Sequence, residues 1–352
     1  MLSGSGAIGA RAGLAARDAF SVDFGLVNGR RRTAFASAPD GTRFLFTLFG
    51  AGTGRAVADG DGFAVSLSGT TPRSSLSVFT DNFGLITTLS TDSSIGSISA
   101  PDCSIGGDVS IGGTLRSAFL LGLSSEAGNT IHFDIAGVGV ATNLQIALVS
   151  DVTLTTASPI SQLRVRRWAD LNSEPDVINA PSIGQIRATG GRRVTGSFEA
   201  DLHLTAVGGA SLGRMILAGG LNGSVIDAAG SVGTVSVSAM HDSAIYAGVN
   251  PVVIGLPASA GDFDAPASIG SFLVRSTSPA VFSDSVIAAS SMGSVDVSRV
   301  GSNAASPSPF GVAAISVRRY RRLTGGRAVV GRNVTQVGVF DSQGSYLAEI
   351  LG

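Results

Sequence analysis

Six heptapeptides of one pattern recur along this 352-residue chain, and they constrain its fold more than any other feature. They read Ser94-Ile-Gly-Ser-Ile-Ser-Ala100, Ser182-Ile-Gly-Gln-Ile-Arg-Ala188, Ser211-Leu-Gly-Arg-Met-Ile-Leu217, Ser231-Val-Gly-Thr-Val-Ser-Val237, Ser268-Ile-Gly-Ser-Phe-Leu-Val274 and Ser291-Met-Gly-Ser-Val-Asp-Val297. A seventh copy, Pro159-Ile-Ser-Gln-Leu-Arg-Val165, lacks the glycine. From Ile95 onward, the first apolar positions are separated by 65, 23, 29, 20, 37 and 23 residues. A unit of about 20 to 23 residues, with longer intervals as multiples or insertions, falls in the range of solenoid repeats.

Stacking the seven copies yields three apolar columns. The first is Ile95, Ile160, Ile183, Leu212, Val232, Ile269 and Met292; the second starts three residues later at Ile98, and the third two beyond that at Ala100. The last two columns share one strand face, as period-2 alternation requires. A second short strand precedes several copies, as in Asp176-Val-Ile-Asn-Ala180, Ser224-Val-Ile-Asp-Ala228 and Ser285-Val-Ile-Ala-Ala289. The unit is therefore strand, corner, strand. A leucine-rich repeat lacks its signature here, and a propeller blade needs four strands in about 40 residues. The pattern predicts an all-β chain: a single-stranded right-handed parallel β-helix. Gly96, Gly184, Gly213, Gly233, Gly270 and Gly293 are expected to mark its corners with φ > 0.

These repeats resemble the glycine- and serine-rich right-handed β-helix proteins of bacterial surfaces, which are similar in architecture to the pectate-lyase-like superfold. The resemblance covers roughly residues 94 to 300 and implies a fold without carrying over any catalytic residue.

The predicted organisation has four parts. Residues 1–19 form a flexible end or a capping helix. Residues 20–93 read as a small β-rich cap, with Arg43–Phe49, Phe63–Leu67 and Ser75–Phe79 as strands. Residues 94–300 hold about nine coils, or about 45 Å of stack at about 4.8 Å each. Residues 301–352 supply a linker and a capping hairpin around Asp341-Ser-Gln-Gly344. Caps are expected because an open coil exposes unpaired backbone.

Composition narrows the function classes. All 24 basic residues are arginine, net charge is -1, and there is one cysteine, Cys103. An intrachain disulfide is excluded, and a nucleic-acid partner held by net positive charge is not expected. No apolar run reaches the roughly 18 residues of a membrane span. The first eleven residues make a poor secretory leader, while few charges with abundant Ser, Thr and Gly suit an extracellular or cell-surface protein.

Candidate chemistry is sparse, and no catalytic residue, metal site or cofactor is assigned. Gly209-Ala-Ser211-Leu-Gly213 matches a nucleophile elbow, but Ser-x-Gly belongs to the repeat itself. His132, His203 and His241 are far apart in sequence. The acidic pairs Asp59/Asp61 and Asp262/Asp264 read as turns. Two basic groups are candidate binding residues for an anionic polymer or a partner. In the first, Arg164 and Arg166 point outward, Arg187 stacks on Arg164 one coil away, and Trp168 lies beside them; arginine forks and an indole can grip an acidic sugar. The alternative places Trp168 as a loop anchor. The second group is Arg318, Arg319, Arg321 and Arg322, which binds an anion or blunts the last coil with charge. The insertion around residues 248–266 is expected to be a loop on the solenoid.

The expected function is a non-enzymatic structural, adhesive or spacer module of a surface protein, with polysaccharide or another cell-envelope polymer as partner. The first alternative is a carbohydrate-active β-helix, a lyase, hydrolase or binding module for acidic polysaccharide. Turnover would need carboxylates such as Asp170, Glu174 and Asp176 to converge near Arg164 and Arg187. The second alternative is a phage-type fibre or tailspike.

Overall fold

Apolar positions spaced three and then two residues apart force two residues outward between the first pair, so the strand bends there and stays regular afterwards. A computed structural model describes residues 20–125, 128–274, 281–301, 308–324 and 327–352. The expectation for residues 1–19 and part of the predicted linker fall outside the described residues. The repeat strands stack in parallel, coil upon coil. Ile98, Ala118, Leu144, Leu163, Ile186, Met215, Val235, Phe272, Val295 and Tyr320 form one unbroken column of register partners. The chain is an all-β, mostly parallel solenoid, and its sheet does not close as a barrel. Two copies that the pattern hides, Leu115–Leu120 and Thr142–Ile146, fill the 65-residue interval. A third, Val317–Arg322, follows Met292–Val297.

A second face carries its own column: Val109, Phe133, Leu154, Ile178, Leu202, Ile226, Ile245, Ile287, Val312 and Ala348. The third face is shorter, with Gly220–Asn222, Ala239–His241 and Phe282–Ser283 in parallel. Side chains from all three faces meet in one apolar core that runs the length of the stack.

At the start, antiparallel strands pass the chain into the stack. Gly62–Ser68 pairs antiparallel with Thr53–Asp59 and parallel with Gly84–Thr91. Ser75–Thr80 likewise joins Arg43–Phe49 to Ile95–Ile105. Parallel stacking thus begins before residue 94. Phe24, Phe44, Phe46 and Phe63 close the core there, with ring centroids 5.0–5.6 Å apart. At the far end, Gly338–Gln343 and Tyr346–Ile350 form an antiparallel hairpin, while Arg327–Val334 lies antiparallel on the last repeat strand. No helix among the described residues is long and apolar enough to cross a membrane.

The six repeat glycines have a different reason from the expected one. None of Gly96, Gly184, Gly213, Gly233, Gly270 and Gly293 has a positive φ. They are required by close approach between coils: a Cβ at Gly213 would lie 2.4 Å from the Gly184 carbonyl oxygen, at Gly233 2.2 Å from that of Gly213, and at Gly293 2.2 Å from that of Gly270. The preceding serines tie the same coils together, with Ser94 Oγ accepting the Thr114 N–H at 2.9 Å and Ser231 Oγ that of Ser268 at 3.0 Å. Gly233→Ala is therefore expected to cost about 1–3 kcal/mol in urea unfolding through overpacking. Gly209→Ala, where a Cβ meets nothing within 4 Å, should stay within about 0.5 kcal/mol of wild type.

Candidate functional site: an arginine and phenylalanine face

Along the strand Ile160–Ala169, Leu163 and Val165 enter the core, so Arg164 between them faces out. The register places Phe119, Gln145, Arg164 and Arg187 side by side on four successive coils. At about 4.8 Å per strand the row spans about 14 Å. Phe119 is 42% exposed, a large aromatic face left in water. Phe119, Gln145, Arg164, Arg166 and Thr189 line a cleft of about 290 Å³. Arg192 and Arg193 are exposed on the tight turn closed by the Gly191–Val194 bridge, a few residues after Thr189. Beyond Arg187 the outward row becomes Ile216, Ser236, Leu273 and Asp296, so the basic stretch is short.

Phe119 and Gln145 escape sequence inspection because their copies deviate from the pattern. A register shift between Thr142 and Asn143 moves Gln145 into line. Trp168 illustrates the opposite error. Its strand turns a corner after Val165, alternation ends, and the indole is 0% exposed. The Nε1–H donates to Asp176 Oδ2 at 2.6 Å, and the ring rests 5.6 Å from that of Phe198. Trp168 anchors the corner and offers no platform to a sugar.

No known family, curated protein or solved structure matches this chain.

The second basic group is divided by the fold. Arg318 and Arg319 are exposed, and Arg319 faces Arg332 across the antiparallel pair. Arg321 pairs with Asp296 at 3.4 Å. Arg322 occupies the third core column, in register with Val297, and is 3% exposed. Its Nε and Nη2 each donate to Asp341 at 2.6 Å, and its guanidinium sits 5.5 Å from the Tyr346 ring centre. Tyr320 donates to the same carboxylate at 2.7 Å. Burial would raise the Asp341 carboxyl, but these donors hold it below its ordinary value. The hydrogen bonds to Asp341 in turn raise the Arg322 guanidinium. Arg322 is thus a structural ion-pair member and leaves the candidate binding set.

Elsewhere, carboxylate oxygens of Asp151, Asp170 and Asp176 lie within 4.8 Å of one another, close enough to hold a cation. Sequence inspection names Asp170 and Asp176 only as carboxylates that turnover would need near the arginines, and misses Asp151. Asp176 is instead 1% exposed and accepts from Val152 N–H and Trp168. Asp151 accepts the N–H groups of Leu171 and Asn172. Burial pushes Asp176 up to about 7, against the pull of Trp168 and Val152, while burial and then the charge of Asp151 raise Asp170. These carboxylates staple a corner and do not face the arginines.

Other candidates are likewise structural. Ser211 is buried, donates to the Ala206 carbonyl at 2.6 Å and accepts Gly230 N–H. Burial raises the Cys103 thiol to about 12, where it packs as an inert apolar group. His241 Nδ1 meets Ser283 Oγ at 2.8 Å on the third face, while His132 and His203 stand on the second.

A raised folded-state pKa makes the Asp176 contribution to stability fall as pH climbs from about 4 to about 7, because the native state binds the extra proton. Wild-type unfolding free energy should drop between pH 5 and pH 8 by about 1–2 kcal/mol more than that of Asp176→Asn, allowing for solvent around Asp170. Separately, Asp341→Ala strands Arg322 and should cost about 3–5 kcal/mol in urea unfolding. Arg322→Leu together with Asp341→Leu should cost less than the single change.

Proposed function

We propose that the chain is a non-enzymatic adhesive or structural solenoid of the cell surface or extracellular space that holds an acidic polysaccharide. The observation that carries this reading is the row Phe119, Gln145, Arg164, Arg187 on four adjacent coils. Guanidinium forks donate paired hydrogen bonds to carboxylate or sulfate oxygens. The exposed Phe119 ring offers a surface for the apolar face of a pyranose, and Gln145 supplies a donor and an acceptor for hydroxyls. An extended polymer lying across coils would meet one of these groups at each strand spacing.

The cleft lining contains no carboxylate, which favours retention over turnover, since glycoside hydrolysis calls on a pair of them. The surface setting rests on the low charge of the chain and on its repeat resemblance.

A glycan array followed by titration calorimetry tests this. Uronate or sulfate oligosaccharides should bind, and Arg164→Gln and Arg187→Gln should each weaken binding about 10- to 100-fold, the value of a charged hydrogen-bonded pair. Arg164→Lys should recover only part of the loss. Equal binding by neutral glycans, unchanged affinity in both variants, or release of unsaturated uronate would overturn the proposal.

A further inference from the structure

The 37-residue interval between Val232 and Ile269 does not interrupt the stack, because those two residues are direct register partners. The excess chain leaves after Ala247 and folds back over the outer side of the second face. Gly248 turns it with φ of 65°. Val249 bridges to Phe263, Asn250 donates to Asp264 at 3.0 Å, and Asp262 accepts the Ala258 and Ser259 N–H groups. Val253, Leu256 and Phe263 pack on Ala244, Val286, Ala288 and Ala313. The insertion is therefore an ordered wall, held by its own bonds and by the solenoid.

Facing that wall is an outward row on three successive coils, His203, Asp227 and Tyr246. A cleft of about 320 Å³ separates the row from the insertion, with Val225, Val253 and Ile254 on its sides. Ile254 is 96% exposed at the rim. The Tyr246 hydroxyl is already committed, donating to the Gly255 carbonyl at 2.9 Å. The Asp227 carboxylate accepts no hydrogen bond among the described residues; burial raises its pKa, and the opposing influence comes from His203.

A ligand that fills this cleft strips water from a carboxylate that accepts no hydrogen bond and has the His203 ring beside it, and taking such a carboxylate out of water without a donor is unfavourable. The ligand must bring a cation or strong donors to Asp227. Its remainder meets aliphatic walls, where a polyol would leave hydroxyls unpaired while a hydrocarbon gains by leaving water. One charged anchor beside an apolar body describes an amine. We propose that this cleft binds a small primary alkylammonium, its amine on the Asp227 carboxylate and its chain between Val225, Val253 and Ile254. The site is independent of the arginine face and opposite to it in charge preference.

Titration of the intact chain with n-hexylammonium, 1-hexanol and methyl glucoside at pH 7.5, followed by NMR shifts or calorimetry, tests the assignment. Hexylammonium should bind at least tenfold tighter than hexanol, and butylammonium should bind more weakly than hexylammonium. In Asp227→Asn the advantage over hexanol should vanish, with hexanol affinity unchanged. Equal affinity of amine and alcohol for the wild type, tighter binding of the glucoside, or an advantage that survives in a folded Asp227→Asn overturns the proposal. Should that variant not fold, the wild-type comparison still decides.

Discussion

Every coil of this protein must come within backbone hydrogen-bonding distance of the next, around its corners as well as along its faces. That requirement governs the rest. Where two outward residues bend the chain between inward ones, the carbonyl of one coil occupies the place where the next would put a Cβ, as Gly213 and Gly233 show at 2.2 Å. At those corners only glycine fits without displacement. The serine before it supplies an oxygen for an N–H that the bend would otherwise leave unpaired. Part of the composition follows from that geometry: glycines and serines at corners, β-branched and aliphatic residues in the columns.

Stacking in register made much of the fold legible. A spacing of three and then two repeats faithfully wherever glycine keeps the bend tight, so six copies declare themselves and predict their neighbours. Leu115–Leu120 and Val317–Arg322 stay hidden because Arg116 and Arg318 stand where glycine is expected. Thr142–Ile146 hides because its register slips by one residue against the next coil. The φ > 0 reading of the glycines failed for a physical reason: a residue can be glycine for its backbone angle or for lack of space, and the sequence does not distinguish the two.

The candidate site was half legible for the same cause. Arg164 and Arg187 sit one regular interval apart, so their adjacency follows from counting. Phe119 and Gln145 belong to irregular copies and join the row only through the observed pairing. Counting by twos fails at Trp168, where the strand turns a corner, and charge misleads at Arg322. Parity from Val317 and Tyr320 already points Arg322 inward; the partner that makes this tolerable, Asp341, comes from a hairpin 19 residues on. An ion pair in the last core column also ends the apolar seam.

Both clefts lie where the repeat departs from its rule. The slipped copy at Thr142 lets Phe119, Gln145 and Arg164 converge on one side, and the insertion after Ala247 raises a wall on another. A solenoid absorbs such departures at little cost because each coil contacts only its neighbours, and because pairing resumes after the excursion, as between Val232 and Ile269. The glycine corners and apolar columns hold the coils in place, and the irregular coils differ in side-chain charge from one face to another, arginines on the first and Asp227 on the second.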